Sequence, residues 1–112
     1  MSSNKRRDTR YRFEYNVSLE FSDREDLTVQ AEGADITVQA IAVEIPSNHS
    51  LHNFMNQLVT NRFQINSEQL PFQECPVQLF RIDIFGNGDA RYVFRFLDPL
   101  PEQELTHLDE TD

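Results

Sequence analysis

"VQLFRIDIFGNGDARYVFRFLD", Val77 to Asp98, is the stretch whose reading decides the fold class. Two runs rich in β-branched and aromatic residues flank "GNGD", and Asn87-Gly88 supplies the positive-φ pair that a tight hairpin turn requires. A hairpin of this kind is a unit of antiparallel sheet, and most of the remaining chain has the same period. "YRFEYNVSLEF" sets Tyr11, Phe13, Tyr15, Val17, Leu19 and Phe21 in strict alternation, the pattern of a half-buried strand. The polar turn "SDRED", residues 22–26, joins it as a hairpin to "LTVQAEG", which ends at Gly33. "ADITVQAIAVEI" then reads as one strand from Ala34 to Ile45, until Pro46 removes a ladder donor. Ile36, Val38, Ala40 and Ala42 share one parity of it, and Asp35, Thr37 and Gln39 the other.

The period changes once. In "SNHSLHNFMNQLVTN", Leu51, Phe54, Met55, Leu58 and Val59 recur at helical spacing behind candidate Ser caps at 47 and 50, which predicts a short amphipathic helix. A further strand is carried by "QLVTNRFQI", where Phe63 and Ile65 alternate. The end, "PLPEQELTHLDETD", opens on a proline turn with Leu105 and Leu108 on one side and then holds mostly acids, which predicts a short helix fraying into a solvated tail. The sum is about six strands with no βαβ alternation, and a small antiparallel barrel accommodates them best. The expected organisation is a flexible basic arm over residues 1–12, the barrel over 13–98, and a short helix with an acidic tail over 99–112.

With 112 residues, of which 38% are hydrophobic, the chain suits one domain with a modest core. The lone cysteine, Cys75, has no intramolecular disulfide partner, and the polar start "MSSNKRRDTR" lacks the apolar stretch of a secretory signal. No apolar run approaches the roughly 20 residues of a membrane span, so a cytoplasmic setting is expected.

Charge is unevenly spread. Lys5, Arg6, Arg7, Arg10 and Arg12 meet one acid, Asp8, in the first 12 residues, a local +4; the other hundred residues hold five bases and eighteen acids, a local −13. So acidic a body repels duplex nucleic acid, while leaving room for a focused anion site at the arm.

Two motifs carry that site. In "RRDTR", Arg6 and Arg10 stand four apart with Arg7 between them, and one hairpin later comes "DITVQA". Guanidinium bonds an oxyanion bidentately through its planar fork and can stack its flat face on a ring. A carboxylate such as Asp35 accepts paired N–H donors, and the Thr37 hydroxyl can donate to an anion or cap a backbone group.

Order and separation of these motifs resemble the PilZ family, six-stranded barrels that bind cyclic di-GMP through an R-x-x-x-R arm and a later D/N-x-S-x-x-G motif. Arg6 and Arg10 match the first motif in full, and Arg7 gives the doubled arginine common in the family. Asp35 matches the acid of the second, Thr37 stands where serine is usual, and Ala40 replaces the glycine. The resemblance covers roughly residues 5 to 98 and implies a cyclic di-GMP receptor with Arg6, Arg7, Arg10, Asp35, Thr37 and Ala40 at the ligand. It further implies an arm that orders on the nucleotide, a signal relayed to a protein partner, and no catalysis. In the family the residue ahead of the arginine motif bears on whether one or two nucleotides bind; here the basic Lys5 points to a stacked pair.

The alternative is a degenerate barrel without nucleotide that serves as a protein-interaction adaptor or self-associates, to which Ala40 and the apolar stripe of 51–58 would both contribute. Metal binding is not expected. His49 and His52 could share a helix face but lack further ligands, and His107, near Glu104 and Asp109, has no nucleophile beside it.

Overall fold

The computed structural model describes residues 9–21, 24–45, 62–70, 75–86 and 89–111. Seven strands follow one another: β1 (Tyr11–Arg12), β2 (Asn16–Phe21), β3 (Arg24–Ile36), β4 (Ala40–Ile45), β5 (Arg62–Asn66), β6 (Cys75–Ile84) and β7 (Ala90–Phe96). All neighbours are antiparallel, in the order β1-β3-β2-β5-β6-β7-β4, and an additional β3–β4 pairing closes the last six into a barrel. Closure removes the free edges that an open sheet would expose. The two-residue β1 lies outside this ring, against the end of β3, with Tyr11 opposite Ile36 and Arg12 opposite Asp35.

Alternation accounts for the core. Val17 and Leu19 of β2, Phe63 and Ile65 of β5, and Tyr92, Phe94 and Phe96 of β7 are all buried, while the residues between them face outward or sit at the rim. Phe63 and Phe94 meet edge to face with ring centroids 5.2 Å apart, an arrangement favoured by the ring quadrupoles. The β6–β7 hairpin stands as its sequence implies, with Ile84 opposite Ala90 and the Phe85 amide donating to the Asp89 carbonyl at 2.8 Å. Its Asn87-Gly88 corner lies outside the described residues, as does the helix expected over 47–59 with His49 and His52.

Four sequence expectations change. The strand expected from Tyr11 to Phe21 is two, β1 and β2, with Tyr15 exposed at the bend between them. The strand expected over 34–45 is broken, because residues 37–39 form a turn between β3 and β4. "TVQA" holds none of the usual turn formers; the Thr37 side chain makes the turn, its Oγ1 accepting from the Gln39 and Ala40 amides, each at 3.1 Å. Parity flips across this turn, so the core of β4 is Ile41, Val43 and Ile45 rather than the Ala40 parity.

Sheet contact also begins before residue 13, in β1. Finally, the C-terminal helix is a single 3-10 turn at Glu102–Glu104, and the tail behind it is held rather than fraying. Leu105 and Leu108 are buried, the Arg12 amide donates to the Asp109 carbonyl at 2.7 Å, and the Thr111 amide donates to the Arg10 carbonyl at 2.9 Å. Backbone pairing to the arm, with Tyr11 opposite Glu110, fixes a segment whose side chains alone would be solvated.

The same clasp buries the Tyr11 ring, whose hydroxyl donates to Glu102 Oε2 at 3.0 Å. Burial, then the bond to and charge of Glu102, raise the phenol's pKa above its ordinary value of 10.0. A raised folded-state pKa means stability that is complete below pH 10 and is lost as pH climbs through the folded value. In an ultraviolet absorbance titration, Glu102→Gln should therefore move part of the phenolate signal to lower pH; superimposable curves would show that Glu102 does not hold Tyr11.

Candidate functional site

A groove of about 580 Å³ runs over the outer wall formed by β3, β4, β7 and β6. Strand register lays out its floor. Arg12 of β1, Asp35 of β3, Ala42 of β4, Val93 of β7 and Arg81 of β6 form one continuous cross-strand row, so Asp35 and Arg81 stand at opposite sides with only Ala42 and Val93 between them. Three inter-strand steps separate the two ends, or about 14 Å. Two residues along, on the same face, Ala40 sits opposite Arg95; two the other way, Glu44 sits opposite Arg91, which in turn faces Asp83.

Bulges shape both sides. On β3, Gly33 pairs with Val43 and Asp35 with Ala42, which leaves Ala34 as an extra residue; on β6, Leu79 pairs with Phe94 and Arg81 with Val93, which leaves Phe80 as another. Each bulge re-aims the side chains beside it. Through the second, Phe80 and Arg81 both line the groove rather than alternating in and out.

Of the residues singled out from the sequence, Arg10, Asp35, Thr37 and Ala40 line this one groove, although 25 positions separate Arg10 from Asp35. Arg6 and Arg7 lie outside the described residues. Arg10 is placed by the Thr111 amide on its carbonyl and by β1, which begins at the next residue. Thr37 is fixed by the turn it builds. Because its oxygen already accepts two amides, both lone pairs are engaged and its O–H is left to donate outward. Ala40 opens β4 in a regular pair with Arg95, so strand backbone rather than a left-handed conformation is what this position uses. Its methyl, not its φ, is what a ligand would meet.

Phe80, Arg81, Arg91 and Arg95 also line the groove. The Arg95 guanidinium lies over the Phe80 ring, its central carbon 3.9 Å from the centroid, and Arg91 stands 5.7 Å from the Phe85 ring. Arg91 is also paired with Glu44 at 2.7 Å and Arg81 with Asp83 at 3.2 Å. These pairs are partly or well exposed, so they orient side chains more than they stabilise the fold. With Arg10, four arginines line the groove against Asp35 and Asp83, a basic surface on a chain of net charge −9. Alternation in "RYVFRF" marks Arg91 and Arg95 as outward-facing, yet only strand register tells which wall they share with Asp35.

A second groove, of about 660 Å³, lies on the wall of β3, β2 and β5 and is lined by Tyr15, Asn16, Ser18, Gln30, Asn66, Ser67, Glu68 and Gln69. It is larger, and its lining among the described residues holds no Lys or Arg. No group of three or more His, Cys, Asp or Glu among the described residues is placed to hold a metal. No helix among them is long and apolar enough to cross a membrane.

No protein-family model and no curated protein sequence matches the chain. Solved structures do match. The PilZ domain of YcgR from Escherichia coli, with c-di-GMP, superposes with a TM-score of 0.59 at 18% identity, over 92% of this chain and 86% of that one. The Borreliella burgdorferi PlzA protein, in complex with c-di-GMP, gives 0.60 at 15% identity, over 86% of this chain and 42% of that one. The Bacillus subtilis inhibitor of motility, MotI/DgrA, gives 0.59 at 12% identity, over 94% of this chain and 48% of that one. The chain therefore spans less than half the length of the last two. At these identities the likeness is one of fold: the chain is a PilZ-like barrel.

Proposed function

We propose that this PilZ-like barrel is a receptor domain for cyclic di-GMP, which it binds in the arginine-lined groove. One observation carries the reading: Arg10, Asp35, Thr37 and Ala40, chosen from two separate sequence motifs, line a single basic groove on the barrel wall. Two neighbours of the same fold, PlzA and the PilZ domain of YcgR, have structures with c-di-GMP, which adds support.

Each residue has a task set by its chemistry. The Arg10 fork bonds a phosphate, and Arg6 and Arg7, a short step upstream, fold over the ligand once it is seated. The Asp35 carboxylate takes the N–H pair of a guanine edge, and the Thr37 hydroxyl donates to phosphate while its oxygen keeps the turn closed. Ordering of the arm is the switch, and a protein partner reads the ordered state. Titration calorimetry with cyclic di-GMP tests the reading. Saturable heat at micromolar ligand, weaker for cyclic di-AMP and weakened by salt, is the expected result. Absence of heat at high micromolar ligand would remove the receptor reading.

Ala40 supplies a graded test. Its methyl lines the groove where the family pattern carries glycine, so it holds the ligand away from the floor. Ala40→Gly is expected to tighten binding by up to roughly tenfold, about 1.4 kcal/mol. Unchanged affinity would show that this methyl does not touch the ligand.

The adaptor reading has its own support in the far end of β6, where Ile84 is 69% exposed and Phe85 41%. These apolar side chains follow Asp83 just beyond the groove lining and offer a protein partner a surface that needs no nucleotide.

A further inference from the structure

The groove ends differ in kind, and the difference assigns them different parts of the ligand. Asp35 marks one end, a hydrogen-bond acceptor suited to the edge of a base. The other end holds Phe80, which is 50% exposed although it is a large aromatic ring on the outer wall of the barrel. It is there because of the β6 bulge: without the extra residue, alternation would turn position 80 or 81 away from the groove. Arg95, opposite Ala40 on the adjacent strand, lays its guanidinium over that ring at 3.9 Å. Stacking on the ring reduces the freedom of a long, exposed side chain and leaves one flat face and a fork of N–H donors for a ligand.

Resting on the reading of the groove as a cyclic di-GMP site, we propose that the Phe80–Arg95 stack is the platform on which the second base of the dinucleotide lies. Two inter-strand steps, roughly 10 Å, separate β3 at Asp35 from β7 with Arg95, and a third brings the span to roughly 14 Å at β6 with Phe80, while a purine ring system covers roughly one such step. One base therefore cannot serve both ends. Asp35 reads the edge of one guanine, Ala42 and Val93 give a low floor over which the sugar-phosphate ring passes, and the face of the other guanine rests on Arg95 backed by Phe80. Selectivity for guanine is thereby placed at Asp35, whereas the platform supplies affinity with little discrimination, since every base has a π-face.

Calorimetry on the full chain with cyclic di-GMP and cyclic di-AMP, for wild type and for Phe80→Ala, Phe80→Leu, Phe80→Trp and Arg95→Ala, tests this. Both side chains are exposed, so the variants should melt with the wild type. Phe80→Ala, Phe80→Leu and Arg95→Ala are expected to weaken cyclic di-GMP binding about tenfold each, with the preference over cyclic di-AMP kept, and Phe80→Trp to bind at least as tightly as the wild type. If the wild type binds while all of these variants bind within twofold of it, the platform is wrong and the receptor reading stands. Loss in Phe80→Ala that Phe80→Leu restores would show that only apolar area matters, and would likewise overturn it. A wild type that binds neither nucleotide overturns both.

Discussion

Gly33→Ala is expected to lower the unfolding free energy by about 2–3 kcal/mol, the upper part of the range for overpacking a core position. Gly33 pairs with Val43 inside the barrel, and a β-carbon there would collide with the Phe13 carbonyl oxygen and come within 2.7 Å of the Phe13 ring. Neither can move aside cheaply. Phe13 is fully buried, its amide donates to the Ala34 carbonyl at 3.0 Å, and the Gly33 amide donates to the Tyr15 carbonyl at 2.9 Å, so the two segments are bonded on both sides of the contact. Strain introduced here would also reach the groove, because Gly33 is followed directly by the Ala34 bulge that sets the Asp35 direction. For a domain of this size the expected fall in Tm is on the order of 10 °C, read by thermal denaturation followed by circular dichroism. A Tm within about 2 °C of the wild type would mean that Phe13 yields and the close approach is not a constraint.

Arg10→Ala is expected to weaken cyclic di-GMP binding by about 2–3 kcal/mol, some 30- to 150-fold, while leaving thermal stability unchanged. The side chain is exposed, so its removal costs the fold little. Its backbone is another matter: Thr111 and β1 hold it in place, so the guanidinium is offered from a fixed base rather than from a free tail. Removing one charge should also flatten the salt dependence, and Arg10→Lys should recover only part of the loss because an ammonium cannot form the planar fork. Calorimetry at two ionic strengths reads both effects. Equal affinities of wild type and Arg10→Ala would separate the arm from the site.

The β-architecture was legible because alternation is a property of short windows. Val17 to Leu19, Phe63 to Ile65 and Tyr92 to Phe96 announce their buried faces without help from distant residues, whereas Tyr15, on the parity of Val17, is exposed where the chain bends between β1 and β2. The turn at 37–39 was not, since it is built by one threonine hydroxyl in a run of good strand formers, and a pattern reading passes straight through it. The hold on the C-terminal tail was equally hidden: it comes from backbone bonds to Arg10 and Arg12, to which side-chain composition is blind.

Of the groove lining, the two motifs name Arg10, Asp35, Thr37 and Ala40, each read from its own short stretch of sequence. Arg81, Arg91, Arg95 and Phe80 join them only through barrel closure and one bulged residue, which no single stretch of sequence encodes.

The central claim, that the arm and the β3–β4 turn form one nucleotide site on the wall of β4, β7 and β6, is tested most directly by amide chemical-shift mapping during a cyclic di-GMP titration. The account predicts saturable shifts at Arg10, Asp35, Thr37, Ala40, Phe80 and Arg95, with Ser67 to Gln69 on the other wall unmoved. Shifts gathered around Asn66 to Gln69, or none at high micromolar ligand, would contradict it.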